Sequence, residues 1–363
     1  GRETQYYNNA MYLMGWSRYK QSDYEGSLVA FDQVLNSVVP ASGRLEGLDK
    51  PSKTLAEDTL KITGLSLSYA GGPEKIQQLY QAGQSPRYAW LLYSSLGNLY
   101  LEKERYEDSA VAYRAFVDQE PTSDLAPEMH AKMIRAYVDG NFPKAVLPEK
   151  ERYVENYGIH SAYWQQRSAQ ARAEVLPSLK TYIDELARHY HSAGQKAEGQ
   201  VDDKQLVGQP MALEKAVGFY QQYIATFPQD PRVPEMTYMA GEASFDGGNY
   251  LVAIDLYEKS AYELKDAKHG ANAGYAAIIA YQKQLELVEA RTGEDSPETQ
   301  SLQQRSVESK LAFVQNYRAD ARSASVMAST SEELFALKQY DRALEVAQSV
   351  MSRQGELDRG LAN

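Results

Sequence analysis

The feature that most constrains this chain is a pair of short amphipathic segments between Leu96 and Pro121. Small and aromatic residues recur in both segments at spacings that place them on one face of an α-helix. Pro121 ends the second segment because a proline has no N–H to continue the helical hydrogen bonds. Small residues opposite each other, with large ones above and below, allow two antiparallel helices to approach closely. The positions that form this pattern are Gly97, Tyr100, Ser109, Tyr113 and Phe116.

The same helical hairpin pattern returns along the sequence, which indicates a repeat of about 34 residues. Segments 53–83 and 270–318 share the periodicity but carry weaker signatures. A hairpin of this kind cannot bury its apolar face alone, so neighbouring copies must stack. The sequence therefore predicts an all-α chain of about eight helix pairs. The clearer copies contain Gly15, Ala131, Ala187, Gly241 and Phe335.

This pattern resembles the tetratricopeptide repeat over most of the chain. The stretch 227–257, with Phe227-Pro228 and Tyr250, also resembles repeats common in bacterial envelope proteins. The resemblance implies an α–α superhelix, a solenoid of antiparallel helix pairs. It also implies a non-enzymatic scaffold that binds other proteins or peptides.

The expected domain organisation is a single solenoid over 1–363, with sub-blocks at 1–158 and 177–354. Glycines and a proline bracket the polar stretch 194–210, which predicts an inserted loop, either mobile or in contact with a partner. No clear polar capping helix follows the last pair, so the natural protein is expected to continue or to cover this end with its tail. An exposed last pair favours self-association.

In this family the first helices of successive pairs line the concave side of the superhelix. The resemblance therefore implies a partner-binding groove there, with aromatic side chains as anchors. Tyr19 and Phe245 have a second interpretation, packing against the adjacent repeat, and both interpretations stay open. The candidate groove residues are Tyr12, Trp16, Tyr19, Asn98, Leu101, His130, Tyr137, Arg188, His191, Tyr238, Glu242, Phe245 and Phe335.

Asn98 resembles the asparagine with which this family clamps a peptide backbone. One subgroup adds lysine and arginine residues that bind a terminal carboxylate. Such residues do not occur at matching positions in the neighbouring copies, which argues against a clamp for chaperone tails.

Composition excludes several classes of function. The chain has no cysteine, so it forms no disulfide and has neither a thiol nucleophile nor a cysteine-ligated metal. Its formal net charge of −11 opposes general binding to nucleic-acid phosphates. No apolar run reaches the length of about 18 residues that predicts a transmembrane helix. Together with the envelope resemblance, these features favour the periplasm, with the cytoplasm as the alternative.

No motif for catalysis, metal binding or cofactor binding occurs in the sequence. The phosphate-binding glycine motifs, HExxH and GxSxG are all missing. His189 and His191 are two residues apart, which places them on different faces of a helix. The sequence therefore predicts no catalytic residue, no metal and no cofactor.

Two other functions stay open. A carbohydrate-binding or ligand-binding accessory protein would use exposed aromatic rings to stack on sugars, and Trp16, Trp90 and Trp164 are the candidates. A helical enzyme body that lacks its catalytic domain would have the same repeats, and turnover by the purified chain would reveal it.

Overall fold

The computed structural model of the protein describes residues 5–80, 85–198 and 209–361. Within these ranges all regular secondary structure is helical, and no β-strand occurs. The predicted all-α fold is therefore confirmed.

The chain divides into two compact units, Gly1–Tyr182 and Ile183–Asn363. Their bounds differ from the expected sub-blocks, 1–158 and 177–354. The boundary falls inside one long helix, α10 (Ala169–Glu198).

In the first unit, helices adjacent in sequence pack against each other in series from α1 to α8, except that α3 contacts both α4 and α5. The buried core of this unit lies mainly between α2, α3, α5, α6 and α7. This serial packing is the arrangement that a stack of helical hairpins requires. The helices before α10 are α1 (Gln5–Lys20), α2 (Tyr24–Val38), α3 (Lys50–Ala70), α4 (Pro73–Leu79), α5 (Ala89–Glu102), α6 (Tyr106–Gln119), α7 (Ala126–Asp139), α8 (Pro143–Tyr157) and α9 (Ala162–Gln166).

The second unit has the same serial packing from α11 to α17. A π-helical turn, Lys259–Glu263, extends the helix α13. Each unit is thus a stack of antiparallel helix pairs, the solenoid-like fold expected of tetratricopeptide-type repeats. The helices after α10 are α11 (Gln209–Thr226), α12 (Val233–Asp246), α13 (Tyr250–Glu258), α14 (Gly270–Thr292), α15 (Pro297–Asn316), α16 (Ser323–Ala336) and α17 (Tyr340–Leu361).

A glycine facing an aromatic ring sets the distance between the two helices of several pairs. A methyl group on Gly97 of α5 would lie 2.5 Å from the ring of Tyr113 on α6, so a larger residue does not fit without displacement. The Ser109 hydroxyl donates a hydrogen bond of 2.8 Å to the Gly97 carbonyl. The small-against-small packing inferred from the sequence is therefore confirmed. The same glycine–ring contact joins Gly15 to Phe31 and Gly241 to Tyr257.

The sequence predicts a turn into a helix at Gly71-Gly72-Pro73 and a helix start at Ser296-Pro297-Glu298, and helices begin at both places. Gly71 and Gly72 have φ angles of 121° and 71°, values that favour glycine, and α4 begins directly after them at Pro73. The Ser296 hydroxyl accepts a hydrogen bond of 3.1 Å from the Thr299 N–H and caps α15.

The periodicity predicts a helix over 178–193, with Pro177 at its start or at a kink. Instead, α10 begins at Ala169 and continues through Pro177. The fully buried Leu179 and Leu186 hold this helix in place, so packing outweighs the hydrogen bond that the proline removes.

The predicted insertion, 194–210, falls mainly on residues 199–208, which lie outside the described residues. Its two ends belong to α10, which runs to Glu198, and to α11, which begins at Gln209.

Candidate partner-binding site

The first unit contains a cleft between α3 and α5, each of which is the first helix of its pair. These helices approach closely because Gly64 has no side chain; a methyl group there would lie 2.9 Å from the Ser95 hydroxyl. The Ser95 hydroxyl donates a hydrogen bond of 2.7 Å to the Leu60 carbonyl on α3. This contact fixes the spacing of the two helices, and with it the width of the cleft.

The α3–α5 cleft has a volume of about 280 Å³ and is lined by both apolar and polar residues. Its carboxylates and amine can pair with charged groups, and its amide can bind peptide groups. This chemistry suits an extended peptide better than an apolar ligand. The lining residues are Glu57, Leu60, Lys61, Leu91, Ser94, Ser95, Asn98, Leu99 and Glu102.

A hydrogen bond also orients the Asn98 side chain in this cleft. The Tyr113 hydroxyl donates a hydrogen bond of 2.8 Å to its Oδ1 atom. Burial raises the pKa of Tyr113 to about 12, so this hydroxyl keeps its proton at neutral pH. No hydrogen bond joins the Asn98 amide nitrogen to another described residue. The NH₂ group is therefore available to donate to a ligand carbonyl.

The candidate groove residues of the first unit differ in their surroundings. Asn98 is exposed in the cleft, whereas Leu101 is half-buried against the core. Tyr12 and Trp16 are half-buried on α1, and the Tyr12 ring lies 6.3 Å from that of Phe31. Of these residues, only Asn98 lines the cleft.

His130 and Tyr137 are buried, so they do not offer a surface to a partner and the groove assignment is corrected for both. His130 Nε2 lies 3.2 Å from Oε2 of the buried Glu149. Arg114 bonds Glu149 at 2.6 Å and also donates to the Tyr137 hydroxyl at 3.1 Å. Helical periodicity does not show these long-range contacts, which join α6, α7 and α8.

The electrostatics of this cluster favour an ionised Glu149. Burial opposes ionisation of the carboxyl group, but the hydrogen bond from His130 and the charges of Arg114 and Arg152 outweigh it. The pKa of Glu149 is therefore lowered below its ordinary value. The contacts of this cluster stabilise the packing of α6, α7 and α8.

In the second unit, His191 is also buried and therefore unavailable to a partner, which corrects its groove assignment. Its Nδ1 atom lies 3.2 Å from the Tyr220 hydroxyl, and its Nε2 atom lies 3.6 Å from Oδ2 of Asp246. The hydrogen bond from His191 is the main reason that the pKa of Asp246 is lowered. His189 is exposed, which confirms that the two histidines lie on different faces.

The other candidates on α10 and α12 contact residues of the second unit through their side chains. Arg188 is exposed, but its guanidinium bonds Asp184 at 2.9 Å and lies 3.5 Å from Glu235. The ring of Tyr238 stacks on that of His269 at 4.9 Å. Glu242 accepts a hydrogen bond from the Tyr257 hydroxyl.

The two phenylalanine candidates have different exposures. Phe245 is half-buried against the core around Tyr257, with its ring 5.2 Å from that of Tyr250. Phe245 therefore makes the packing contact that the second interpretation of this residue predicts. Phe335 is 65% exposed and lies beside Tyr340.

An aromatic cluster joins α1, α2 and α3, and Tyr19 is its central member. Tyr24 and Tyr69 stack at 4.9 Å with an interplanar angle of 16°, and the Tyr19 ring lies 5.8 Å from both Tyr24 and Trp16. Tyr19 thus packs on neighbouring helices, while Tyr69 is largely exposed. We call these four residues the N-terminal aromatic cluster.

Ser94, Ser95 and Lys61 line the cleft but are missing from the candidates predicted by sequence. A helical projection would have placed the two serines one turn before Asn98 on the same face. Lys61 lies on another helix, and no pattern in the sequence links α3 to α5 at this point.

Among the described side chains, histidines and carboxylates form no group of three or more that could hold a metal ion. In the part of the chain that the structure describes, no helix has both the length and the apolar character needed to cross a membrane.

Serial helix pairs with glycine–ring contacts define a helical repeat protein. Residues 9–38, which cover α2 and most of α1, match the family model of the tetratricopeptide repeat. This chain therefore carries a tetratricopeptide repeat at that position.

Two solved structures illustrate the wider comparison. One is a circular tandem repeat protein with novel repeat topology and enhanced subunit contact surfaces; the match has 10% identity and a TM-score of 0.26, and covers 99% of this chain and 92% of that chain. The other is a monomeric mutant of IFIT1 with Gppp-AAAA; the match has 11% identity and a TM-score of 0.21, and covers 95% of this chain and 90% of that chain. Structural similarities with TM-scores this low support no conclusion about this chain. No curated protein matches the sequence.

Proposed function

We propose that this protein is a non-enzymatic scaffold that binds an extended segment of a partner protein in the α3–α5 cleft. The observation that carries the proposal is the orientation of Asn98, whose Oδ1 atom is occupied by Tyr113 while its NH₂ group remains open to a ligand. Tetratricopeptide repeats in general mediate protein–protein interaction, which supports the same function.

The charges of the cleft define the kind of segment that fits. Glu57 and Lys61 of α3 and Glu102 of α5 all line the cleft. A peptide with one acidic and one basic side chain would pair with both signs. The Asn98 amide would donate to one of its backbone carbonyl groups.

Asn98→Asp tests this function with little change in shape. The aspartate keeps an oxygen that accepts from Tyr113 but replaces the NH₂ donor with a negative charge. We expect the affinity for peptides selected on the wild-type chain from a random display library to fall about tenfold or more, a change of about 1.4 kcal/mol. Fluorescence polarisation with labelled peptides measures it.

Asn316→Asp is the matched control, because Asn316 is exposed on α15 and lies outside the cleft. Its peptide affinity should equal that of the wild type. Equal losses in both variants, or a library that gives no binder, would rule out binding in this cleft.

We further propose that the scaffold works in a bacterial envelope assembly, in the periplasm. The absence of cysteine and the resemblance of 227–257 to envelope repeats support this location. Osmotic-shock fractionation of the source cells tests it, and recovery of the chain with cytosolic markers would contradict it.

The N-terminal aromatic cluster supports a second candidate function, carbohydrate binding. Tyr69 exposes its ring, and Trp16 lies in the same cluster with Lys20 5.6 Å from its ring centre. Trp90 is less suited, since its indole N–H already donates to the Gly43 carbonyl at 2.9 Å. Trp164 is half-buried beside Arg172.

Tryptophan fluorescence during titration with oligosaccharides tests the second candidate. A saturable change that Tyr69→Ala abolishes would favour carbohydrate binding. A flat titration would leave the peptide scaffold as the function.

Self-association is the remaining part of the proposal. The last helix pair, α16 and α17, exposes Phe335, Tyr340 and Leu344 together. Apolar side chains grouped in this way are typical of a protein–protein contact.

A further inference from the structure

The α14–α15 pair is longer than its neighbours in the second unit. Helix α14 has 23 residues, whereas α12 and α16 have 14 each. In the turn after α16, the Gln339 amide donates a hydrogen bond of 2.7 Å to Oε1 of Gln304, which lies well inside α15. The first turns of α15 therefore project past the end of the α16–α17 pair.

A cavity of about 720 Å³ lies beside this projection. Its lining comes from the C-terminal end of α14, the first half of α15 and the turn after α16, and we call it the α14–α16 cavity. Helix α15 packs on both α14 and α16, so the cavity lies between consecutive pairs and not on an end face. Its volume is in the range of sites that hold a ligand.

Acidic groups dominate the charge of the α14–α16 cavity. Its lining includes the carboxylates of Glu289, Glu294, Asp295 and Glu333, with Lys338 as the basic residue among them. Glu333 is already paired with the buried Lys310. No lysine or arginine of the described residues pairs with the other three carboxylates.

Two glutamines add further hydrogen-bond acceptors. The Gln300 amide nitrogen donates to the Asp295 carbonyl at 3.4 Å, and that of Gln303 lies 3.5 Å from Oε1 of Glu289. These bonds use the NH₂ groups, and no described residue donates to the Oε1 atom of either glutamine. The cavity thus offers many acceptors and few donors.

A buried hydroxyl in the lining also lacks a partner. Ser306 is 2% exposed and lines the α14–α16 cavity. Its hydroxyl forms no hydrogen bond with another described residue. Because buried polar groups normally have a partner, this hydroxyl marks a position for a polar group of a ligand.

The distribution of these groups defines the ligand. Among the described side chains, no three carboxylates or histidines meet closely enough to hold a metal ion, so the negative charges act at separate points. Guanidinium and ammonium groups carry several N–H donors and no acceptor, which matches this lining. Leu285 and Leu337 are half-buried in the same lining and can pack against the methylene groups of such side chains.

We propose that the α14–α16 cavity binds a short basic segment of a partner protein. Its arginine or lysine side chains pair with Glu289 and Asp295, and one of them donates to the Ser306 hydroxyl. The amide oxygens of Gln300 and Gln303 accept backbone N–H groups, which favours a protein segment over a free polyamine. This site lies in the second unit and is separate from the α3–α5 cleft.

A labelled Gly-Arg-Gly-Arg-Gly peptide, blocked at both ends, is the probe, and fluorescence polarisation measures its affinity for the full chain. The double variant Glu289→Gln with Asp295→Asn removes two charges without changing side-chain shape. We expect the affinity to fall about tenfold. Ser306→Ala changes no charge, yet it should lower the affinity about threefold because it removes one hydrogen-bond partner.

The matched control is the double variant Glu263→Gln with Glu345→Gln. Both residues are exposed in the second unit and lie outside the cavity lining. The control removes the same charge, so in about 0.15 M salt its affinity should stay within about twofold of the wild type. Circular dichroism verifies that every variant is folded.

Three results would overturn the proposal. Equal losses in the cavity and control variants would show a general attraction to an acidic chain. No saturable binding up to about 1 mM peptide would remove the site. Spermine that binds more tightly than the peptide, with the same dependence on Glu289, would make the ligand a polyamine. None of these results affects the α3–α5 cleft, which Asn98→Asp tests with other peptides.

Discussion

Replacing Tyr113 by alanine is expected to lower the free energy of unfolding of the first unit by about 3–5 kcal/mol, the usual cost of removing a buried aromatic side chain. Tyr113 is fully buried, and its ring lies directly against Gly97. The rigid backbone of α5 cannot collapse into the space that the ring leaves. The variant also removes the hydroxyl that orients Asn98, so peptide binding should fall as well.

Urea denaturation followed by circular dichroism measures the loss of stability. Stacked hairpins depend on contacts between neighbours, so an early transition confined to part of the helical signal is the expected form of the result. Tyr6→Ala is the control, because Tyr6 is exposed, and its effect should stay within about 0.5 kcal/mol. Similar midpoints for the two variants would contradict the glycine–ring contact as a main source of stability.

Glu149→Ala should have the second large effect, a destabilisation of about 3 kcal/mol, the low end for breaking a buried ion pair. The Glu149 side chain is buried, whereas Arg114 and Arg152 are partly exposed and regain some hydration in the variant. His130 regains no hydration in the variant, because it stays buried after it loses its carboxylate partner.

The pH dependence of stability gives an independent test of the same cluster. The pKa of Glu149 is lowered in the folded chain, so its contribution is complete above the unfolded value, near 4.5. It is lost as the pH falls below 4.5 and through the folded value. Wild-type stability should therefore fall more steeply in acid than that of Glu149→Ala.

Glu128→Gln is the matched control, since Glu128 pairs with Lys132 at the surface of α7. Its cost should be at most about 1 kcal/mol. Parallel pH profiles for Glu149→Ala and the wild type would show that Glu149 is not held ionised by its neighbours.

The local features of this fold could be predicted because neighbouring residues determine them. The pairing of Gly97 with Ser109, the turn at Gly71 and Gly72, and the helix start at Ser296 all follow from spacing and capping chemistry. The course of α10 through Pro177 could not be predicted, because the burial of Leu179 and Leu186 in the tertiary structure decides it.

The candidate site was predicted less completely than the fold. Asn98 was found from its resemblance to a family position. His130, His191 and Tyr137 have the polarity of binding residues, yet each lies inside a network of partners distant in sequence. Such networks leave no periodic trace, so a pattern cannot separate a buried histidine from one at a surface.

The sequence by itself determined that this chain forms helical hairpins, because small and aromatic residues at helical spacing require close helix pairs. The tertiary structure alone decided which polar side chains remain open to a partner, because that depends on side-chain contacts between different helices. It selected Asn98 beside Tyr113 and buried His130 beside Glu149. It also brought Glu289 and Ser306 into the lining of one cavity, although they lie on different helices.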